Sequence, residues 1–256
     1  MAEVYSDYTS PQFTAMAHRG GSLLTANLGI ENTTRAFSNA VRLGYRYLET
    51  DVHASADGRL FAFHDDKLER VTGFEGSLHQ LGSTEIEEIR VGGREPIPSL
   101  DELLETFPEA NFNIDLKHDP AVAPLAGAIR RHGAERRVCV GSFSRPRIKR
   151  FRTLLPRVPT SVSSAGTAAL TLGRISKGGQ IYQVPLRHSV GPVSVDVVTP
   201  QNIARAHAAG RKIHVWTIDD PTTMHRLIDW GVDGIITDRP DSLKEVLRAR
   251  GMWSTQ

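Results

Sequence analysis

The chain has 256 residues, enough for one large hydrophobic core or two small ones. Its 31 Lys+Arg nearly cancel its 29 Asp+Glu, for a formal charge of +2, so no global field points to a nucleic-acid partner. A single cysteine, Cys139, excludes an intrachain disulfide, and its apolar surroundings (VCVGSF) mark a buried thiol rather than a nucleophile. The amino-terminal MAEVYSDYTSPQF lacks the basic-then-apolar order of a secretory signal, and no apolar run is long enough to span a bilayer. The expectation is a cytoplasmic protein with no transmembrane segment; the oligomeric state is left open.

Thr14–Ala17 is a short apolar strand that stops at His18-Arg19-Gly20-Gly21, where the glycines permit a sharp turn. A loop runs to Glu31-Asn32-Thr33-Thr34, and Asn32 or Thr33 can cap the helix that follows, which Gly44 closes. Residues 46–65 (RYLETDVHASADGRLFAFHD) read as two strands joined by a tight Asp57-Gly58 turn. Glu49, Asp51 and His53 lie two apart and share one strand face, while Leu48 and Val52 point the other way. The second strand, Leu60–Phe63, ends at His64-Asp65.

Residues 66–98 break the rhythm and read as an excursion over one end of the fold, with a short helix at 83–89 capped by Ser83 or Thr84. Ser99 then caps a helix through Phe107. From residue 112 strands alternate with helices: strands at 112–117, 137–141, 158–161, 181–184, 193–198, 213–217 and 234–237, helices between them, and a last helix at 241–250 capped by Asp241. About eight parallel strands with crossover helices in roughly 250 residues predict an α/β fold, a closed (β/α)8 TIM barrel forming one domain over 1–256, with an insertion at about 66–98 after the third strand. An open doubly wound sheet is weakened by the absence of a dinucleotide or phosphate-loop glycine motif.

The polar residues fall at strand ends: His18-Arg19, Glu49 and Asp51, His64, Asp115 and Lys117, Trp216-Thr217, and Thr237-Asp238. In a barrel these ends meet at one rim. Glu49, Asp51 and Asp115 supply three carboxylates, oxygen donors suited to one divalent cation, Mg²⁺ or Ca²⁺, with zinc less favoured by this ligand set. His18 and His64 can flank a reacting group as base and acid. Arg19 and Lys117 add cations for an anionic substrate, and phosphodiester cleavage fits that equipment. Each residue also has a structural reading: Lys117 could simply neutralise Asp115, Asn32 could be a cap, and Trp216 could be core. The remaining histidines are read as structural or surface groups, His53 least securely.

These motifs closely resemble the glycerophosphodiester phosphodiesterase family of bacteria. They are His18-Arg19-Gly20, Glu31-Asn32-Thr33, Glu49-x-Asp51-Val52, His64-Asp65, Asn113-Ile114-Asp115-Leu116-Lys117, Val215-Trp216-Thr217-Ile218-Asp219 and the closing Gly231-Val232-Asp233-Gly234-Ile235-Ile236-Thr237-Asp238-x-Pro240. The resemblance covers residues 18 to 241. It implies a barrel with an insertion after the third strand, a divalent cation on Glu49, Asp51 and Asp115, His18 and His64 as the acid/base pair, and Arg19 and Lys117 on phosphate. It further implies Trp216 against the substrate, and Glu31 and Asn32 close behind the site. The implied activity is hydrolysis of a small-molecule glycerophosphodiester to sn-glycerol 3-phosphate and an alcohol. Where the family usually carries Glu, this chain has Asp115, one methylene shorter. The rival readings are cleavage of lysophospholipids through a cyclic phosphate, and a catalytically silent barrel that binds phosphorylated metabolites.

Overall fold

The computed structural model describes residues 4–5, 7–10, 12–190 and 193–253. Strand β1 (Thr14–His18) leads through a long loop to α1 (Thr34–Arg42), then to β2 (Tyr47–Ala54) and β3 (Leu60–Ala62). Residues 66–98 hold α2 (Glu69–Thr72), α3 (Ser83–Glu88), β4 (Arg90–Val91) and β5 (Glu95–Pro96). Next come α4 (Leu100–Thr106), β6 (Asn111–Leu116), α5 (Val122–Arg131), β7 (Val138–Gly141), α6 (Arg145–Leu154) and α7 (Ser164–Thr171). They are followed by β8 (Ile181–Pro185), β9 (Arg187–Val190), β10 (Val193–Asp196), α8 (Pro200–Ala208), β11 (Lys212–Trp216), α9 (Pro221–Trp230), β12 (Gly234–Thr237) and α10 (Pro240–Ala249).

Seven of these strands form a curled parallel sheet in the order β7-β6-β2-β1-β12-β11-β8. The edge strands β7 and β8 do not pair with each other. Between them Thr160 bridges Val140 and Ser161 bridges Ile181, both in parallel sense, so two residues stand where an eighth strand was expected. The wall is therefore TIM-like without being a complete ring of eight strands. Two expected barrel strands lie elsewhere. β3 pairs antiparallel with β2 as a hairpin arm, and the predicted strand at 193–198 is β10, paired antiparallel with β9 outside the sheet.

Alternation along β2 sorts its side chains. Leu48 and Val52 join the main core, between sheet and helices, while Glu49 and Asp51 line a cavity on the other face. Inside the curl Met16, Tyr47, Cys139, Ile181 and Ile236 pack with Tyr8, which stands edge-on to Tyr47 at 5.2 Å. Cys139 is fully buried there, as expected of a structural thiol, and burial pushes it far up from its ordinary pKa. Residues 66–98 carry a second apolar cluster, in which Leu68, Leu78, Ile86 and Val91 pack on Phe61 and Phe63.

Local signals resolve with small shifts. Thr33, not Asn32, caps α1, its hydroxyl accepting from the Ala36 N–H at 3.2 Å. Ser99 caps α4 as expected. The cap of α3 is Gly82, one residue before the predicted serine, with the Glu85 carboxylate accepting from the Gly82 N–H. Arg239 caps α10 and Pro240 opens it, which moves Asp241 into the first turn, where it pairs with Arg239. Among the described residues no helix is long and apolar enough to cross a membrane.

Candidate active site

The carboxyl ends of the parallel strands surround a cavity of about 310 Å³. His18, Arg19, Glu49, Asp51, His64, Asp115, Lys117 and Trp216, which the strand-end pattern singled out, all line it. Glu31 and Asn32 do not line it but touch residues that do.

The two histidines are held alike. His18 Nδ1 lies 2.8 Å from Asp238 Oδ1, and the same oxygen accepts from Ser22 Oγ at 2.7 Å. His64 Nδ1 lies 2.6 Å from Asp65 Oδ1. In each ring Nδ1 is anchored by a carboxylate, so Nε2 is the atom left to meet a substrate. His18 Nε2 stands 3.8 Å from Glu49 Oε2. Burial opposes charge on His18, but Glu49 and the hydrogen bond to Asp238 outweigh it and raise its pKa above the ordinary value. His53, the histidine read least securely, is buried on β2 with Nε2 3.2 Å from the His64 carbonyl oxygen; it holds the loop rather than the cavity.

Arg19 follows β1 with a φ of 50°, and Asn32 has a φ of 58°. Two non-glycine residues in the left-handed region at one place are the kind of strain that surrounding bonds must hold. Here the Arg19 N–H donates to the Glu49 carbonyl at 3.0 Å, and the Arg19 carbonyl accepts from the Asn32 N–H at 2.9 Å. Asn32 Nδ2 donates to Asp51 Oδ2 at 3.2 Å while its Oδ1 accepts from Thr50 at 2.8 Å. Gly20 lets this turn sit on α1, since a Cβ there would stand 2.8 Å from the Ala36 backbone.

The charges interlock. Lys117 Nζ lies 2.9 Å from Asp51 Oδ1 and 2.8 Å from Asp115 Oδ2. Arg19 donates to Glu31 Oε1 at 3.0 Å, and its Nε lies 3.4 Å from Asp51 Oδ2. Burial works against ionised Asp51, yet Lys117 and Arg19 hold it below the usual carboxylate range. Glu49 lacks such close cations: burial and the charge of Asp51 push it up to about 7. Burial also raises Asp115, against the pull of Lys117.

Comparison with known proteins agrees with this geometry. The model of the "Glycerophosphoryl diester phosphodiesterase family" matches residues 18–242. The chain belongs to that family. It is 40% identical to the Mycobacterium tuberculosis protein named "Probable glycerophosphodiester phosphodiesterase 2", covering 93% of this chain and 92% of that one. It is 30% identical to the glycerophosphodiester phosphodiesterase of Caldanaerobacter subterraneus subsp. tengcongensis, covering 92% and 98%. Among solved structures, the glycerophosphodiester phosphodiesterase of Agrobacterium tumefaciens aligns with a TM-score of 0.76 at 27% identity, covering 90% and 98%. An Oleispira antarctica phosphodiesterase, in complex with the product sn-glycerol-3-phosphate, shares the fold with a TM-score of 0.77 at 22% identity, covering 92% and 96%.

Within this family member the three carboxylates are not a ready-made ligand set. Among the described residues no three His, Cys, Asp or Glu side chains stand together as a metal-holding group, and Lys117 occupies the gap between Asp51 and Asp115. The donor chemistry still suits a hard cation. Glu49 and Asp51 are both buried, and the raised Glu49 marks a carboxylate short of positive charge.

Three site neighbours escaped the sequence reading. Asp238 was noticed at a strand end but not as the partner of His18. Arg70, from α2, reaches both Glu31 (Oε1 at 2.7 Å) and Asp65, and nothing in its local sequence marks it. Gln183 on β8 donates to buried Asn113 at 2.7 Å across the cavity floor, a pairing visible only once the sheet curls.

Proposed function

We propose that the chain is a glycerophosphodiester phosphodiesterase that hydrolyses its substrate to sn-glycerol 3-phosphate and an alcohol. The observation that carries the reading is the pair of carboxylate-anchored histidines, His18–Asp238 and His64–Asp65, in one cavity with Arg19 and Lys117. The names of the relatives support it, and so does the product bound by the Oleispira antarctica protein of the same fold.

In this reading Arg19 and Lys117 take the non-bridging phosphate oxygens, where charge grows in the transition state. One histidine removes a proton from the attacking hydroxyl through Nε2, and the other delivers one to the departing alkoxide. His18 is taken as the base and His64 as the acid. Trp216 packs against the carbon skeleton of the substrate. Glu49, Asp51 and Asp115 would hold one divalent cation, Mg²⁺ or Ca²⁺. Such a cation, when bound, supplies further charge to the phosphate oxygens.

Turnover of glycerophosphodiesters by the purified chain, with sn-glycerol 3-phosphate identified as product, tests the reading. His18→Ala and His64→Ala should each lower kcat by about 10²–10⁴-fold with the fold intact. Near-full rates in both variants would remove the acid/base scheme.

A further inference from the structure

The cavity is divided by charge. Among the described residues, every Asp, Glu, Lys or Arg that lines it lies on or just after β1, β2 and β6. Among the described residues the facing wall, built from β7, α7, β8, β9, β10 and β11, contributes none, and its one titratable group is exposed His188. On α7 the lining residues are Ser164, Thr167, Ala168 and Thr171. Their spacing of three, four and seven is one helix face, small and uncharged throughout. Val162 and Val197 add aliphatic surface, and Phe143 meets Trp216 edge-on at 5.9 Å.

We infer that this wall receives the alcohol half of the diester, and that this alcohol is an uncharged polyol rather than an ammonium-bearing one. The inference rests on the phosphodiesterase reading above and deepens it by naming the substrate class. An ammonium group placed here would leave water without meeting a carboxylate, and that desolvation would go unrepaid. The Phe143 ring does not substitute for a carboxylate. Lys117 Nζ already lies over the Phe143 ring, 5.8 Å from its centre, so a second cation would meet an occupied face and a like charge. A polyol suits the wall on both counts: its C–H faces cover the aromatic and aliphatic surface, and its hydroxyls meet those of Thr167, Thr171 and Ser164.

The test compares kcat/KM for glycerophosphoglycerol and glycerophosphoinositol with that for glycerophosphocholine and glycerophosphoethanolamine. The neutral pair should lead by at least about 10-fold. Equal rates, or a lead for either cationic substrate, would overturn the inference. Ala168→Asp and, separately, Thr171→Asp place a carboxylate on the α7 face. Either should shift the ratio toward the cationic substrates by about 10-fold, since each supplies the missing partner. An unchanged ratio in both folded variants would mean that this wall does not hold the alcohol, and would also overturn it. Equilibrium binding of the four diesters, measured by calorimetry, ranks them without turnover. No product from any diester, with the neutral pair still bound tighter, would sink the phosphodiesterase reading alone and support the neutral wall. Tighter binding of the cationic pair would overturn the wall itself.

Discussion

His18 and Asp238 are 220 residues apart and meet at 2.8 Å, the first at the end of β1 and the second just past the end of the neighbouring strand β12. The contact is built in from behind. The Asp238 N–H and the Thr237 hydroxyl both donate to Asp219 Oδ1, at 2.8 and 2.9 Å, and Ser22 shares the Asp238 oxygen that faces His18. Asp238 therefore fixes both the ring orientation and the tautomer of His18, with the proton on Nδ1 and the lone pair on Nε2.

Asp238→Asn keeps the size of the side chain but can present its amide to Nδ1 and favour the wrong tautomer. The expected result is a fall in kcat of about 10²-fold or more, with KM little changed, because the base is lost while the phosphate contacts remain. Steady-state kinetics on a glycerophosphodiester checks it. A rise in KM at constant kcat would instead place Asp238 in substrate binding. Asp238→Glu should recover part of the loss if orientation is its role.

Arg70 ties α2 to the site by bonding Glu31, which holds Arg19, and Asp65, which holds His64. Its side chain is 50% exposed, so these pairs contribute little to stability, about 1 kcal/mol or less. Arg70→Ala should therefore leave the melting temperature within a few degrees of wild type while loosening both catalytic neighbours. A drop in kcat/KM of roughly 10-fold is expected, corresponding to about 1.4 kcal/mol of transition-state stabilisation. Thermal unfolding and kinetics on the same preparation separate the two effects. Equal rates for variant and wild type would remove Arg70 from any positioning role.

Much of this site was legible because its residues sit where strand grammar puts them. Glu49 and Asp51 share a face by the two-residue period of β2, and His18 and Lys117 follow apolar strands directly. What was not legible depended on the curl of the sheet. A run such as Val193–Val198 has the composition of a buried strand, and periodicity cannot say that it folds back on Arg187–Val190 instead of entering the barrel. The same holds for Leu60–Ala62, whose short tie to β2 favours an antiparallel hairpin. Asp238 with His18, Gln183 with Asn113 and Arg70 with Glu31 meet across gaps that no local pattern spans. The lysine between Asp51 and Asp115 is a related case: its pairing with Asp115 was among the sequence readings, but its second contact, with Asp51, was not.

His214 offers a pH test away from the chemistry. It is fully buried on β11 and neither ring nitrogen has a hydrogen-bond partner among the described residues. Burial lowers its pKa from the ordinary 6.5 to about 4. Between those values the unfolded chain takes up a proton that the folded chain refuses. Stability is therefore highest above about pH 6.5 and falls as pH drops toward 4, by an order of about 3 kcal/mol from this group. His214→Leu removes the titration, so its stability should vary less than wild type over the same range. Urea unfolding at several pH values reads the difference. Parallel wild-type and variant curves would show that His214 titrates normally in the fold.

The cation reading turns on Glu49, a buried carboxylate that faces His18 at 3.8 Å, and on Asp51 beside it. If one divalent ion completes this charge balance, a chelator should abolish turnover and Mg²⁺ or Ca²⁺ should restore it. Glu49→Gln keeps the shape and removes the charge. Because outer-shell changes alone cost metal sites about 10–100-fold in affinity, this direct change should raise the cation concentration needed for half-maximal activity by at least ~10-fold. Asp115→Glu adds one methylene and extends the third carboxylate toward the cavity, so it should lower that concentration or leave it unchanged. Calorimetric titration of Mg²⁺ and Ca²⁺ into wild type and Glu49→Gln gives a readout that does not depend on catalysis. Full activity in chelator, with no heat of binding for either ion, would leave Lys117 and Arg19 as the charges that face the phosphate, and would remove the cation from the mechanism.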